Sequence, residues 1–333
     1  MNSSTSYTEQ LTDALVDAAT QAVHHAPSVL NTQPWHWRVH PARLELFADR
    51  SRQLNAMDPD GRLLMLSCGV VLDHVRVSLA AQGWESHVRR TSDSSTPGLL
   101  ATLTSFDRVE ITPKAQHQAH AMLTRYTDRR PVSEQPLSPA VIRAVAASAG
   151  ERVRLHVLSP DQVLDLSAAA SRALTVSAKD AFARAELDYW TSRTMPEGSG
   201  LPAAVLPDHC PQTTVPGRRF GHPGTLPIGS GHDRAATYAL LYGDEDDAER
   251  WLEAGEALST VWLTATALNV SVLPLSDVVS VPATREALRR MLRTFDHPYL
   301  ALRLGIADPQ SGTPPRTPRF PAAQLIDAVP RTA

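Results

Sequence analysis

The sequence predicts a chain of mixed helices and strands in which two segments can be versions of one unit. Three observations carry this: amphipathic helical stretches interleaved with short alternating strands, two long apolar helices that echo one another, and a proline- and glycine-rich segment interrupting the second half. Residues 9–25 place Leu11, Ala14, Leu15, Ala18, Ala22 and His25 at three- and four-residue steps, an apolar helical stripe that Pro27 ends. In APSVLNTQPWHWRVHPARLELFA, Trp35, Trp37 and Val39, then Leu44 and Leu46, alternate as two strands joined through His40, Pro41, Ala42 and Arg43. A hairpin behind a polar loop results.

From Asp58 to Gly83, helical spacing continues through a stretch so uncharged that the helix is expected to be central and buried on more than one side, with Gly83 as its stop. A strand at 99–103, a helix leading into RYTDRRPV (125–132), a helix from about 138, a strand at 152–159 and a helix through 161–192 follow. Residues 196–231 then hold seven prolines and seven glycines. Each internal proline costs a helix about 3 kcal/mol and each glycine about 1 kcal/mol relative to alanine, so this segment is expected to be a long loop. Beyond it come a strand at 236–243, a long helix running into a strand or extended segment, the helix ATREALRRML and a closing strand at 299–307. The tail SGTPPRTPRFPAA is expected to lie extended over the surface or to lack fixed structure.

The echo pairs Gly69 with Gly255, Leu72 with Leu258, Val75 with Val261 and the Gly83 stop with Asn269. Two buried helices can look alike by chance, or the chain can hold two versions of one unit packed about a pseudo-twofold axis. The spacing is too long for a solenoid repeat.

Composition narrows the function classes. At 333 residues, 42% hydrophobic and 20% charged, the chain has material for a large core. Its formal charge of -3 offers no basic field for a nucleic-acid backbone. Two cysteines, Cys68 and Cys210, are too few for a disulfide scaffold, and the polar stretch after Met1 does not read as a secretion signal, so a cytoplasmic location without a membrane span is expected. The common short signals for serine acyl transfer, zinc proteolysis, Rossmann dinucleotide binding and P-loops do not occur. His24, His25, His36 and His40 lack a thiolate or carboxylate at metal-ligand spacing, so no metal is expected.

Two segments carry ligand chemistry. Pro27, Ser28, Asn31, Gln33, Pro34 and Trp35 concentrate amide and hydroxyl groups between a helix end and a strand start; amides both donate and accept, as a planar polar ligand edge requires, but the same pattern serves a turn with local caps. RYTDRRPV brings Arg125, Arg129 and Arg130 within six residues, a grip suited to a single phosphate or a solvated cluster paired to Asp128 and Glu134. Arg285, Arg289 and Arg290 form a second helical cluster, of the kind surface helices often carry.

APSVLNTQPWHWRV resembles the A-P-S-x-x-N-x-Q-P-W segment of nitroreductase-like FMN proteins. Together with DPDGRLLMLSCGVVLDHVRVSLAAQGW, RYTDRRPV, SGHDRAATYALL and the stretch from Trp251 through Leu292, it is similar to the Acg family of nitroreductase-like flavoproteins across most of residues 10–307. The resemblance implies a nitroreductase-like α+β fold: a first half at 1–120, a second at 121–307 that includes a lid loop at 196–231, and a proline-rich tail at 308–333. The halves would form a pseudo-twofold shell around one FMN, in a monomer. By motif position Ser28, Asn31 and Gln33 approach the ring or ribityl chain, Arg125, Thr127 and Arg129 the ribityl and phosphate, and Leu273, Pro274, Leu275 and Ser276 the ring, with Arg285 or Arg289 completing the phosphate site. No side-chain acid or base is required. The implied activity passes hydride or electrons from NADH, NADPH or another donor through FMN to an electron-poor aromatic or quinone-like acceptor; a lid that stays shut would instead make the chain an FMN-sequestering protein.

Three departures qualify the resemblance. The second half lacks its own P-S-x-x-N-x-Q-P-W sequence, threonine stands at 127 where the family has serine, and Asp128 puts a negative charge beside the phosphate grip.

Overall fold

The apolar stripe of the first helix folds as read. α1 (Tyr7–His25) buries Leu11, Leu15, Ala18 and Ala22, and β1 (Trp35–His40) pairs antiparallel with β2 (Arg43–Ala48) around a Pro41-Ala42 turn in which Ala42 takes φ 52°. The structure, a computed structural model, describes residues 7–91, 96–193, 197–229, 231–292 and 296–328; positions 196 and 230 of the expected loop and 329–333 of the tail lie outside the described residues.

α2 (Arg62–Ala81) follows, and Gly83 beyond it adopts φ 77°, a left-handed conformation glycine takes without a Cβ clash. By length and composition α2 is apolar enough to cross a membrane, yet 89% of its apolar window is buried inside the protein, as expected of a core helix. β3 (Trp84–Arg90), β4 (Leu99–Arg108) and α3 (Pro113–Thr124) come next. The chain then runs α4 (Pro139–Ala147), β5 (Val153–Val157), α5 (Pro160–Lys179), α6 (Ala181–Thr191), β6 (Thr237–Gly243), α7 (Ala248–Ala267), β7 (Ser271–Leu275), α8 (Asp277–Ser280), α9 (Pro282–Leu292) and β8 (His297–Gly305).

Two sheets result, in the orders β3-β4-β2-β1-β9 and β5-β6-β8-β7. β9 (Ile326–Ala328) comes from the proline-rich tail and pairs parallel with β1, Trp37 opposite Ile326, so the tail returns to the first half. β7 is an edge strand, which is where a sheet tolerates Pro274.

Two elements differ from their sequence reading. The single helix expected over 161–192 breaks at Asp180, whose carboxylate accepts from the amides of Phe182 (2.9 Å) and Ala183 (3.1 Å) and so starts α6 anew. β3 was not expected, because its inward positions include Ser86 and Arg90 and give little apolar alternation.

The two echoing helices pack directly on each other. A Cβ on Gly69 would lie 2.8 Å from the Gly255 Cα and 1.9 Å from the Leu252 carbonyl oxygen; one on Gly255 would lie 2.8 Å from the Gly69 Cα and 2.1 Å from the Leu66 carbonyl oxygen. The contacts are reciprocal. The same offset of 186 residues relates Gly69 to Gly255 and Leu66 to Leu252. It also exchanges the His74–Ser259 hydrogen bond (3.0 Å) with the Thr260–Asp73 hydrogen bond (3.5 Å). An interface in which i meets j and j's counterpart meets i's has local twofold symmetry.

Candidate functional site

Between the helix end at Ala26 and the strand start at Trp35, three non-glycine residues take left-handed backbone: Leu30 (φ 44°), Asn31 (φ 56°) and Gln33 (φ 50°). Such conformations are costly and persist where the surroundings over-determine them. Here the side chains do so. Asn31 Nδ2 donates to the carbonyls of Gly200 (3.1 Å) and Pro318 (2.9 Å), and its Oδ1 accepts from Arg319 (2.9 Å). Gln33 Nε2 donates to the Gly198 carbonyl (2.7 Å), and its Oε1 accepts from the Phe320 amide (3.2 Å). Both amides are buried, and both tie the proline- and glycine-rich loop to the tail. Asn31 and Gln33 therefore commit their amides to this chain's own groups, and Asn31 also borders the smaller chamber of the cleft. Ser28 is placed differently: its Oγ accepts from the Gln33 amide (2.8 Å) and it lines the cleft.

The cleft has two joined chambers. The larger encloses about 1260 Å³, part of it open to solvent, and is walled by Leu63, Leu66 and Val70 of α2, Leu258 and Trp262 of α7, and Leu273, Pro274, Leu275 and Ser276. The smaller, about 600 Å³, is walled by His24, His25, Arg125, Tyr126, Arg316 and Arg319. Pro27, Ser28, Thr127, Arg129 and Leu201 border both.

Residues 125–130 bring Arg125, Tyr126, Thr127 and Arg129 to the walls of the cleft. Asp128 and Arg130 turn away and pair with each other, Arg130 Nε to Asp128 Oδ1 at 2.9 Å and Nη2 to Oδ2 at 2.8 Å, both buried. Asp128 is thereby neutralised and lines neither chamber. Arg125 and Arg129 are grouped at the cleft by a segment without helix or strand.

Among the described residues, no Asp or Glu stands in the wall of the smaller chamber. Arg125 Nη2 donates to the His25 carbonyl (3.1 Å), and its guanidinium sits 4.6 Å from the centroid of the Trp262 ring, but its Nε and Nη1 are buried without a partner, as is Arg319 Nε. Burial, then the neighbouring arginines, hold Arg125 and Arg319 below the ordinary arginine range. Arg316 and Arg319 come from the tail and were not among the expected site residues. Their only sequence signal is a pair of arginines three apart in a proline-rich stretch without acids.

Arg285 and Arg289 are not brought to these chambers. Arg285 donates to the Val279 carbonyl (3.0 Å) and lines a separate small cavity with Asp58, Arg62 and Trp251, while Arg289 pairs with Glu286 along α9 (3.8 Å). The tail supplies the cations that α9 was expected to supply.

The loop covers the larger chamber. Pro207, Cys210, Pro216, Gly217, Arg218 and Phe220 form part of its wall. Arg218 is ion-paired with Asp277 and donates to Ser276 Oγ (3.1 Å), fastening the loop to the start of α8.

The twofold offset shows why the counterpart surface differs. Leu63, Ser67 and Val70 correspond to Glu249, Glu253 and Glu256, and Trp262 corresponds to Arg76. Glu256 bonds Arg90 (2.8 Å) and Arg76 (3.1 Å), and Glu253 bonds Arg90 (3.6 Å) and Arg250. An ion-pair network stands where an apolar ring wall would be.

Fold and cleft together define an α+β protein in which α2, α7, β7 and the proline- and glycine-rich loop wall an apolar chamber that adjoins a cationic one. No family model matches the chain. "Putative NAD(P)H nitroreductase Rv3131" of Mycobacterium tuberculosis H37Rv is 36% identical over 316 residues, spanning 91% of this chain and 88% of that protein. "Putative NAD(P)H nitroreductase acg" of the same organism is 31% identical over 325 residues, spanning 95% and 96%. The chain belongs to the Acg-like family of nitroreductase-related proteins. Among solved structures, a nitroreductase with bound FMN from Bacteroides fragilis aligns with 62% of this chain and 96% of that one at 12% identity, with a TM-score of 0.39.

Proposed function

We propose that the chain binds one FMN across the two chambers and acts as an oxidoreductase, passing hydride or electrons from a reduced nicotinamide or another donor to an electron-poor aromatic or quinone-like acceptor. The observation carrying this reading is the junction of a mainly apolar chamber with a chamber of four arginines and, among the described residues, no carboxylate, in which Arg125 Nε and Nη1 and Arg319 Nε lack partners. Buried guanidinium nitrogens left unpaired are costly, and a phosphate monoester offers the acceptors they lack. The relatives' names point the same way.

In this reading Arg125, Arg129, Arg316 and Arg319 hold the phosphate, Ser28 and Thr127 serve the ribityl chain at the junction, and Leu273, Pro274, Leu275 and Ser276 border the ring. Asn31 and Gln33 are positioning residues: Asn31 carries Arg319 into the chamber, and Gln33 holds the loop and tail together behind it. When bound, FMN supplies the redox chemistry. The apolar wall and the covering loop limit the access of water to the larger chamber. Both halves of the site come from one chain, which suits a monomer. Titration of apoprotein with FMN, followed by its visible spectrum, tests the reading; colourless protein with no binding rejects it.

A second reading, FMN sequestration, is favoured by the Arg218–Asp277 pair, which is largely buried and holds the loop shut. Arg218→Ala removes the fastening. The variant is expected to release FMN about tenfold faster, since a hydrogen-bonded charged group is worth about 1.5–3 kcal/mol. Anaerobic mixing with NADPH or NADH separates the readings: bleaching of the parent's flavin supports turnover, and bleaching confined to Arg218→Ala supports sequestration.

A further inference from the structure

We infer that His25 is a further phosphate-binding residue of the arginine chamber, and that it takes up a proton from solvent when a phosphate monoester enters. This deepens the FMN reading and rests on it. His25 closes α1, and its carbonyl accepts from Arg125 Nη2 (3.1 Å), which ties the helix end to the chamber floor. Its imidazole borders the chamber and makes no hydrogen bond among the described residues.

The charged and titratable groups around it come from every neighbouring element. α1 supplies His24; residues 125–130 supply Arg125, Tyr126 and Arg129; the tail supplies Arg316 and Arg319. His74 of α2 is buried nearby and held neutral by burial and by Arg125. No carboxylate borders the chamber to offset these cations.

In that field, burial first and then Arg316, Arg319, His24 and Arg125 lower His25 to about 4. The C-terminal end of a helix ordinarily favours an imidazolium, but here burial and the arginines outweigh it. A phosphate carrying about −1.5 to −2 charges at pH 7 offsets much of the positive field that acts on the imidazole. The imidazole then gains a proton, and the imidazolium can donate to a phosphate oxygen where the neutral ring offered a single N–H. Linkage sets the direction. A group whose pKa rises on binding adds affinity at low pH, and that increment is lost as pH rises through its pKa in the complex.

The test compares FMN and riboflavin binding to the full-length parent and to His25→Gln from pH 5.5 to 8.5, by flavin fluorescence. The phosphate's own second ionisation, near pH 6, affects both proteins and cancels in their ratio. The expected parent-to-variant FMN affinity ratio is about tenfold at pH 5.5, falling toward unity at pH 8.5. With riboflavin the ratio is flat, and retained riboflavin binding establishes that the variant folds. Tight FMN binding with a pH-independent ratio overturns the role of His25 and leaves the FMN reading standing. Equal parent affinities for FMN and riboflavin, or no binding of either, overturn both.

Discussion

An Arg125→Met/Arg319→Met double variant is expected to bind FMN about a hundredfold or more weakly than the parent, with riboflavin affinity changed little. Each guanidinium contributes charge-assisted hydrogen bonds worth about 1.5–3 kcal/mol to a phosphate, and methionine keeps much of the packing volume against Trp262. The apoprotein should unfold at the same or a higher temperature, because two buried like charges with unpartnered nitrogens have been removed. That pairing of outcomes is diagnostic: a structural arginine would cost stability when lost, whereas a ligand-holding one costs affinity. Fluorescence titration with both flavins and thermal unfolding of the apoprotein provide the check. Unchanged FMN affinity would place the phosphate elsewhere.

The largest stability effect is expected from the helix crossing. Gly69→Ala puts a methyl 1.9 Å from the Leu252 carbonyl oxygen and 2.8 Å from the Gly255 Cα, both backbone atoms that no rotamer change can move. α2 and α7 must separate, and the cost spreads through a core shared by both halves. Overpacking usually costs about 1–3 kcal/mol; with backbone on both sides, a loss of about 4 kcal/mol or more is expected. Gly217→Ala in the covering loop is the control. Nothing lies within 4 Å of its Cβ, so its midpoint in urea should match the parent's. A Gly69→Ala midpoint close to the parent's would mean that the two helices do not cross at this contact.

How much of this was legible beforehand varied with the range of the interaction. α1, the β1–β2 hairpin, α2 with its Gly83 stop, and α7 show in hydrophobic spacing because each writes its period into neighbouring residues. The match between α2 and α7 was legible too, although spacing alone left chance resemblance open. The break at Asp180 was overlooked because an aspartate that caps a helix looks like one on a helix surface until its carboxylate is seen on the amides of Phe182 and Ala183. β3 was missed because its inward face is partly polar.

At the cleft, residue type was legible and partner was not. Asn31 and Gln33 stood out as amides able to donate and accept, and they do both, but with Gly198, Gly200, Pro318 and Phe320 of this same chain. Arg125, Thr127 and Arg129 reach the cleft together. Leu273, Pro274, Leu275 and Ser276 lie on its wall, while Arg285 and Arg289 do not.

By itself, then, the sequence determined the local elements, the doubled helix and the kinds of side chain available for a flavin, because these depend on periodicity and on chemistry carried by single residues. Only the tertiary structure decided which arginines share the cationic chamber, what occupies the twofold-related position, and what the covering loop is fastened to. Arg316 and Arg319 stand beside Asn31 because β9 pairs with β1 across almost the whole chain. Burial in the closed fold then leaves Arg125 and Arg319 with nitrogens that find no acceptor in the protein itself. Contacts between residues so far apart leave no trace in local spacing, and the charge they accumulate exists only once the chain has closed around it.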